Sequence, residues 1–384
     1  MHDIAIIGGG ITGAAAAYWL ARQGRRVVLL EARQIAAMGS GWSLGGVRQS
    51  GRDPAELPLA RAAVAMWPSL ADTLGGDTEY RQQGNLRCAR TPAEVETIRQ
   101  LVESQRALGL ELTFLPDAAA VRRLAPEIGA EVIAASLCST DGHANPALTT
   151  LAFADAARRH GAEVREGVHV REVVVRSNRV AGIETSAGFI AARTVIVAAG
   201  LHSAPLLAPL DLTLPLTARI VNVLQTEAVA PCFAQVFGTA TANCAGRQQV
   251  DGRFRLTTGI VAWDGNLETW TEASMAPPPT RQAEMRERIA VILPRIARLP
   301  VARAWGGLID MTPDGLPVID ATPSVPGLVV AAGFCGHGFG IGPVTGRLVA
   351  DLVSGATPRL DISAFRLDRF TGRSREAATP TLHG

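Results

Sequence analysis

The chain has 384 residues, of which 47% are hydrophobic, and its 37 basic and 35 acidic residues give a formal net charge of +2. This composition predicts a globular protein with a large buried core and a small-molecule partner, and the balanced charge excludes the basic surface of a nucleic-acid-binding protein. Every basic residue is arginine, so a lysine Schiff base and the lysine of a P-loop are excluded as well.

An apolar strand, a glycine-rich turn and an alanine-rich helix open the chain, and a second strand ends at Glu31. The segment 3–13, DIAIIGGGITG, spaces Gly8, Gly10 and Gly13 as GxGxxG. Gly8 permits a tight turn, Gly10 lets a pyrophosphate approach the backbone, and Gly13 lets the helix pack closely on the sheet. Glu31 lies where a carboxylate accepts the ribose hydroxyls of an ADP group. The unit predicts a dinucleotide site without choosing between NAD and FAD.

The middle of the chain alternates helices and strands. Residues 39–51, GSGWSLGGVRQSG, are predicted to be a loop, and residues 91–94, TPAE, predict a capping box that opens a helix to about Leu108. A second helix is expected from about Pro146. A strand and a small β-meander follow, and the meander returns to an apolar strand at 193–200.

The pattern from 214 to 309 is rich in strands, interrupted by a helix of about 281–293. It predicts an antiparallel domain inserted into the α/β domain. Residues 313–315 read as a turn between strands, and 327–333 as another buried strand. We found no internal repeat.

Glycines occupy every second position from 336 to 342, in AAGFCGHGFGIGPVTG. The pattern predicts an extended segment without side chains on one face, followed by a helix of about 343–353 with Pro343 at its first position. Alternate glycines let a flat ring approach the backbone.

The five cysteines are scattered without the spacing of a metal site, which favours small core residues in a reducing compartment. The N-terminus lacks the charged region of a signal peptide, and no apolar stretch is long enough to span a membrane. We therefore expect a cytoplasmic protein without an integral membrane segment.

Four motifs in order resemble the D-amino-acid oxidase and sarcosine oxidase superfamily of FAD-dependent amine oxidoreductases. They are GGGITGAAAAYWLARQG, DGHANPALTTLAFADAARRHGA, VIVAAGLHS, and WGGLIDMTPDGLPVID with AAGFCGHGFGIGPVTG. The resemblance covers nearly the whole chain and implies an α/β (α+β overall) fold: a glutathione-reductase-type FAD-binding Rossmann domain with an inserted antiparallel-sheet substrate domain. The FAD-binding domain would comprise 1–75, 143–212 and 317–384, and the substrate-binding domain 76–142 and 213–316.

The resemblance also implies a noncovalent FAD. Gly307 stands where monomeric sarcosine oxidase attaches its flavin through a cysteine, and Pro146 is the nearest match to the histidine that links FMN in the heterotetrameric enzyme. The second glycine-rich segment would lie against the isoalloxazine ring. The cofactor contacts implied are Gly8, Gly10, Ile11, Thr12, Gly13, Glu31, Ala32, Arg33, Ser40, Ser43, Gly45, Gly46, Val170, Ala199, Gly200, Gly307, Gly336, Gly338, Phe339 and Gly340.

The reaction implied is hydride transfer from the carbon that bears the amine to flavin N5, which requires orientation more than a strong base. Arg48, in GGVRQ, matches the family position of a basic side chain against the flavin, and His337 lies in the flavin motif; these two are the catalytic candidates. His143 and His202 are expected to be structural or surface residues.

Both carboxylate-binding solutions of the relatives are missing. A lysine of monomeric sarcosine oxidase is Gly340 here, and the arginine of glycine oxidase is Ile309. If the substrate is an amino acid, another arginine must bind it, and the candidates are Arg52, Arg219 and Arg303.

Three short segments, GGVRQ, LIDMTPDGLPVID and GFCGHGFG, most resemble the catalytic β-type subunits of proline, D-hydroxyproline and opine dehydrogenases. This implies a secondary or cyclic amino acid as substrate, with cis-4-hydroxy-D-proline as the favoured compound, and a possible hetero-oligomer with an electron-accepting subunit. The alternatives are a primary D-amino acid, glycine or an opine as substrate, or a flavin-binding subunit that serves electron relay or assembly.

Overall fold

The computed structural model describes residues 2–371. Its strands are β1 His2–Ile7, β2 Val27–Glu31, β3 Gly46–Val47, β4 Asn85–Ala89, β5 Thr113–Leu115, β6 Ala134–Cys138, β7 Gly142–His143, β8 Glu163–Glu166, β9 Val170–Arg176, β10 Arg179–Thr185, β11 Gly188–Val197, β12 Thr217–Thr226, β13 Val236–Thr239, β14 Ala245–Gln248, β15 Phe254–Ala262, β16 Val301–Met311, β17 Val318–Ala321 and β18 Leu328–Ala332. Its α-helices are α1 Ile11–Arg22, α2 Gly39–Trp42, α3 Leu57–Met66, α4 Leu70–Leu74, α5 Pro92–Ala107, α6 Ala118–Leu124, α7 Pro146–Arg159, α8 Ser203–Leu207, α9 Glu272–Met275, α10 Pro279–Ile292 and α11 Gly338–Val353.

The first sheet has the strand order β17-β18-β11-β1-β2-β8, and β9 and β10 extend from β11 as an antiparallel meander. β1 is parallel to both β2 and β11. Because both faces of these strands are covered, Ile4 and Ile6 enter one hydrophobic cluster, whereas Ala5 and Ile7 enter another. The structure confirms the α/β class, the opening βαβ unit and the meander predicted from the sequence.

The second sheet has the order β16-β12-β15-β14-β13-β4-β6-β5. All neighbours are antiparallel except β13 and β4, which pair in parallel, so the predicted antiparallel domain includes one parallel pair. Its strands come from 85–138 and 217–311. This topology supports the division into two domains, which stays a proposal; residues 372–384 of the FAD-binding segment lie outside the described residues.

The second glycine-rich segment differs from its prediction. Helix α11 begins at Gly338, and Pro343 lies inside it. A Cβ at Gly342 would lie 2.5 Å from the side chain of Ile11, and one at Gly346 would collide with Ala15. Glycines four residues apart therefore let α11 pack closely on α1, a tertiary reason that an alternating pattern does not reveal.

Two smaller differences concern local structure. Residues 39–51 contain the one-turn helix α2 and the short strand β3. At the start of α5, Thr91 accepts a hydrogen bond from the backbone N–H of Glu94 (3.2 Å), but the Glu94 carboxylate accepts from the backbone N–H of Arg90 (2.6 Å). In a capping box the Glu94 carboxylate would accept from the backbone N–H of Thr91; here it accepts from the preceding residue, so only one of the two predicted bonds is formed.

Within residues 2–371, no helix combines the length and apolarity needed to cross a membrane. In the same range, no group of three or more His, Cys, Asp or Glu side chains could hold a metal ion. All five cysteines are free thiols.

Candidate active site

A cavity of about 940 Å³ is lined by residues of both sheets. The first sheet and its helices contribute the predicted cofactor segments. The cavity-facing side of the second sheet, which we call the floor, contributes the rest. All cofactor residues predicted from the sequence line this cavity except two, Gly13 and Gly340. Gly13 packs against the carbonyl of Gly8, and a Cβ at Gly340 would lie 2.9 Å from the carbonyl oxygen of Gly46. These two glycines allow close packing against Gly8 and Gly46, which themselves line the cavity.

One end of the cavity is the N-terminus of α1. Gly8 has a φ of +110°, a conformation that L side chains rarely adopt. The backbone N–H of Ile11 donates to Ser40 Oγ (2.9 Å). The buried hydroxyl of Thr12 has no hydrogen-bond partner among the described residues. An orphaned hydroxyl beside the positive end of a helix fits a phosphate group.

Glu31 stands at the end of β2, beside this turn. Its carboxylate accepts hydrogen bonds from the backbone N–H groups of Gly9 (2.7 Å) and Arg33 (2.9 Å). Ala32 and Val170 line the cavity next to it. The backbone thus holds the carboxylate against the cavity, and its contact with a ribose stays a prediction.

Three glycines leave open space along the rest of the cavity. A Cβ built on Gly46 or Gly200 would meet nothing within 4 Å, and one on Gly307 would meet only Trp42, 3.8 Å away. All three line the cavity. An orphaned hydroxyl at one end and bare backbone farther along fit an extended dinucleotide with a flat ring.

Buried charges border the same cavity. Arg48, Arg52, Arg87, Glu56 and Asp141 interact electrostatically with one another and are all nearly inaccessible to solvent. Arg48 and Arg52 line the cavity. Nη1 of Arg52 lies 3.9 Å from Oε1 of Glu56, and neither atom has a hydrogen-bond partner among residues 2–371. Three guanidinium groups therefore face two carboxylates.

The environment of this charged cluster changes its acid–base behaviour. Burial, followed by the charges of Arg52 and Arg87, lowers the pKa of Arg48. Burial also raises the pKa of Asp141, although the Ser50 hydroxyl donates to it (2.5 Å). Protonation of Asp141 would only increase the excess of positive charge.

His337 lies beside this cluster, with Nδ1 3.0 Å from Oε2 of Glu56. Burial and the charge of Arg52 lower the pKa of His337 to about 3, despite the opposing effect of Glu56. Burial opposes ionisation of Glu56, yet His337 and Arg52 bring its pKa to about 2. At neutral pH the imidazole is therefore uncharged, and its Nδ1–H donates to the carboxylate. A side chain with this pKa is a poor proton acceptor.

The floor carries a carboxylate, that of Asp310 on β16, whose pKa is raised by burial to about 6. Otherwise the floor consists of paired residues on adjacent strands, mostly small or aliphatic. Its pairs are Val221 with Gly307, Val223 and Ala245 with Thr257, and Val236 with Asn85. Arg87 follows Asn85 by two residues on β4 and interacts with Arg52, so the charged cluster lies at the β4 end of the floor.

Other predicted residues lie elsewhere. Arg219 and Arg303, the alternatives for carboxylate binding, do not line the cavity, because they extend from exposed positions of β12 and β16. His143 is buried 3.0 Å from Arg247, which makes it a structural residue. His202 lines the cavity, although sequence reasoning gave it no such place.

Sequence reasoning also missed Glu56, Asp141, Asn85 and Thr257. None lies in a glycine-rich motif, and their partners are distant along the chain. Asp141 opens DGHANPALTTLAFADAARRHGA, one of the segments that carry the family resemblance, and this position is the one signal in the sequence that points to its carboxylate.

Two curated relatives resemble the chain over almost its whole length. Sarcosine oxidase subunit beta of Rhizobium meliloti (strain 1021) is 26% identical, with 100% of this chain and 92% of the relative covered. Glycine oxidase of Geobacillus kaustophilus (strain HTA426) is 29% identical, with 97% and 98% covered.

Solved structures show the same fold. The crystal structure of glycine oxidase from Geobacillus kaustophilus superposes with a TM-score of 0.88 at 26% identity, covering 97% of this chain and 99% of that one. L-proline dehydrogenase from P. horikoshii gives 0.87 at 26% identity, with 96% and 97% covered. The family model described as FAD dependent oxidoreductase matches residues 3–352. The chain therefore belongs to the FAD dependent oxidoreductase family, and it is an enzyme of the amino-acid and amine oxidoreductases that use FAD.

Proposed function

We propose that the enzyme oxidises a secondary or cyclic amino acid of the proline or hydroxyproline type, with cis-4-hydroxy-D-proline as the first candidate. The observation that carries this proposal is the position of Arg48 and Arg52, two buried guanidinium groups at one end of a mostly aliphatic floor.

The buried charge supports an anionic substrate. Three guanidinium groups against two carboxylates leave an excess of positive charge within this cluster, and the carboxylate of Asp310 lines the cavity outside it. Buried charge is costly without a partner. A substrate carboxylate beside Arg52 supplies that partner, and a guanidinium can bind a carboxylate through two parallel hydrogen bonds.

The floor supports a compact and largely apolar substrate. Beyond the arginines, the paired floor positions carry no second basic side chain for a dicarboxylate such as an opine. The polar members of the floor are Asn85, Thr257 and Asp310, and the carboxylate of Asp310 accepts a hydrogen bond from the backbone N–H of Gly333 (2.7 Å). The Thr257 hydroxyl is buried without a hydrogen-bond partner in the described part of the chain. A ring with a single hydroxyl suits this mixture better than glycine, which would leave the aliphatic positions uncovered.

The chain's own residues would bind and orient the reactants. Bound in this cavity, FAD would supply the acceptor for the hydride that leaves the carbon bearing the amine. Arg48 and the N-terminal end of α11 place positive charge at the cavity wall. His337 orients the Glu56 carboxylate, and it acts as a positioning residue rather than a base. Gly307 offers no side chain for covalent attachment, which supports noncovalent binding.

The test is anaerobic reduction of the purified flavoprotein, with acid release of the flavin to establish noncovalent binding. The panel contains both proline enantiomers, cis-4-hydroxy-D-proline, sarcosine, glycine, D-alanine and octopine, and the readout is bleaching of flavin absorbance. We expect rapid bleaching by a cyclic amino acid or by sarcosine. Preferential bleaching by D-alanine, glycine or octopine would assign the substrate to the alternative class.

A second possibility concerns electron transfer to a partner protein. The similar sarcosine oxidase chain is named as a subunit, which favours a hetero-oligomer in which this chain passes electrons onward. If no amino acid bleaches the flavin and a second redox protein copurifies, a relay or assembly role replaces catalysis. A cytoplasmic location belongs to the same proposal, supported by five cysteines that are all thiols.

A further inference from the structure

Residues 263–271, which we call the roof loop, connect β15 to α9 and are anchored at both ends to the second sheet. The loop leaves β15 after Ala262. At its other end, Thr271 and Ser274 form a capping box with backbone-to-side-chain bonds of 2.9 and 3.1 Å. Met275 then packs in a hydrophobic cluster with Trp270 and Leu308. The loop is therefore fixed to the sheet opposite the dinucleotide motif.

The C-terminal end of the roof loop contacts the segment that follows β2 of the first sheet. The guanidinium of Arg33, two residues after the end of β2, lies over the Trp270 ring at 3.5 Å from its centroid, and its Nη2 donates to the Trp270 carbonyl (3.5 Å). The Trp270 and Trp42 rings are nearly perpendicular, with an interplanar angle of 88° and 6.0 Å between centroids. Trp270 is only 8% exposed. A cation over an indole face is attractive and holds the two elements together.

The roof loop lines the same part of the cavity as the end of β2. Leu267, Glu268 and Trp270 face the cavity, together with Glu31 and Arg33. Glu31 is the carboxylate placed for the ribose of an ADP group. The contact between Arg33 and Trp270 therefore closes the cavity over its ADP end.

We propose that the roof loop completes the site for the adenosine end of FAD, and that FAD leaves the protein only when Trp270 separates from Arg33. The second sheet then contributes to both ends of the cofactor: its floor faces the reacting end, and its roof loop holds the distal end. Retention of a noncovalent cofactor becomes a property of the contact between the two sheets.

The experiment measures FAD affinity and release directly. FAD is removed from the full-length protein, and the apoprotein is titrated with FAD; release is followed by the rise in flavin fluorescence after dilution. W270A and R33Q should each raise the Kd for FAD, and its dissociation rate constant, by about tenfold. The double variant should lose less than the product of the two factors, because both changes remove one contact.

R303Q is the matched control, because Arg303 also lies over a tryptophan ring, that of Trp305 (5.3 Å), but does not line the cavity. It should bind FAD within about twofold of the unmodified protein. If W270A fails to fold, R33Q and W270F retain the test, with W270F expected to be intermediate. Unchanged FAD affinity and release in folded R33Q and W270A would overturn the proposal. Because FAD binding needs no substrate, this outcome is separate from the substrate assignment.

Discussion

At the scale of single residues, the proposed substrate class depends most on Arg52, the side chain expected to bind the substrate carboxylate. It lines the cavity, and its Nη1 lacks a hydrogen-bond partner in the described chain. We expect R52Q to raise the KM for the amino-acid substrate by about 100-fold, since a hydrogen bond to a charged group contributes about 1.5–3 kcal/mol. The measurement is the concentration dependence of anaerobic flavin reduction.

Two comparisons separate carboxylate binding from structural damage. R219Q changes an arginine of β12 outside the cavity and should leave the KM unchanged. Pyrrolidine, a cyclic amine without a carboxylate, should reduce R52Q and the unmodified enzyme equally slowly. A KM for R52Q within threefold of the original would show that another group binds the carboxylate.

At the scale of elements, the close packing of α11 on α1 predicts whether alanine at position 346 raises or lowers the free energy of unfolding. Replacing glycine by alanine inside a helix is intrinsically stabilising by about 1 kcal/mol. A Cβ at Gly346 would instead lie 2.7 Å from backbone atoms of Ala15 and Ala16. Overpacking of this kind costs about 1–3 kcal/mol, so G346A should lower the free energy of unfolding, measured by urea denaturation of the apoprotein.

G46A is the matched variant, because a Cβ at Gly46 meets nothing within 4 Å and stands in the cavity. It should leave the apoprotein as stable as before and weaken FAD binding. An increase in stability for G346A would contradict the close packing of α1 and α11.

The same elements show how far sequence reasoning reaches. The βαβ unit and the strands of the meander were predictable because their signals are local: alternation, glycine spacing and caps within about 30 residues. The start of α11 was not, because Gly342 and Gly346 are required by Ile11 and Ala15, more than 300 residues earlier. A one-dimensional pattern cannot distinguish glycines that admit a ligand from glycines that admit a helix.

The residues of the site also fall into those that the sequence predicts and those that it does not. Residues within glycine-rich motifs were predicted from the sequence, and all of those predicted as cofactor contacts line one cavity except Gly13 and Gly340. Glu56 and Asp141 could not be predicted as members, because their partners come from other elements, such as His337 at the start of α11. The roof loop was also missed, since its contact with Arg33 joins two sheets and follows no motif.

At the scale of the whole molecule, the buried charges connect stability to pH. The pKa of His337 is about 3 in the folded chain, against an ordinary value of 6.5, and that of Glu56 is about 2, against 4.5. Both sites exclude a proton that the unfolded chain accepts. The stability that these two groups contribute is therefore fully present above pH 6.5 and falls with acid, first through His337 between 6.5 and 3, then through Glu56 between 4.5 and 2.

The His337 contribution can be isolated by comparing pH 7 with pH 5. Over this interval the unfolded chain protonates the histidine and the folded chain does not, which lowers the free energy of unfolding by about 2 kcal/mol. H337Q can still donate a hydrogen bond to Glu56 but has no proton to gain, so its stability should fall less by that amount. Urea denaturation of both proteins at the two pH values gives the difference, and H160Q, which alters an exposed histidine, should behave like the unmodified protein. Equal pH dependence in H337Q and the unmodified protein would mean that the folded chain also protonates His337 near pH 6, and the neutral imidazole bound to Glu56 would have to be abandoned.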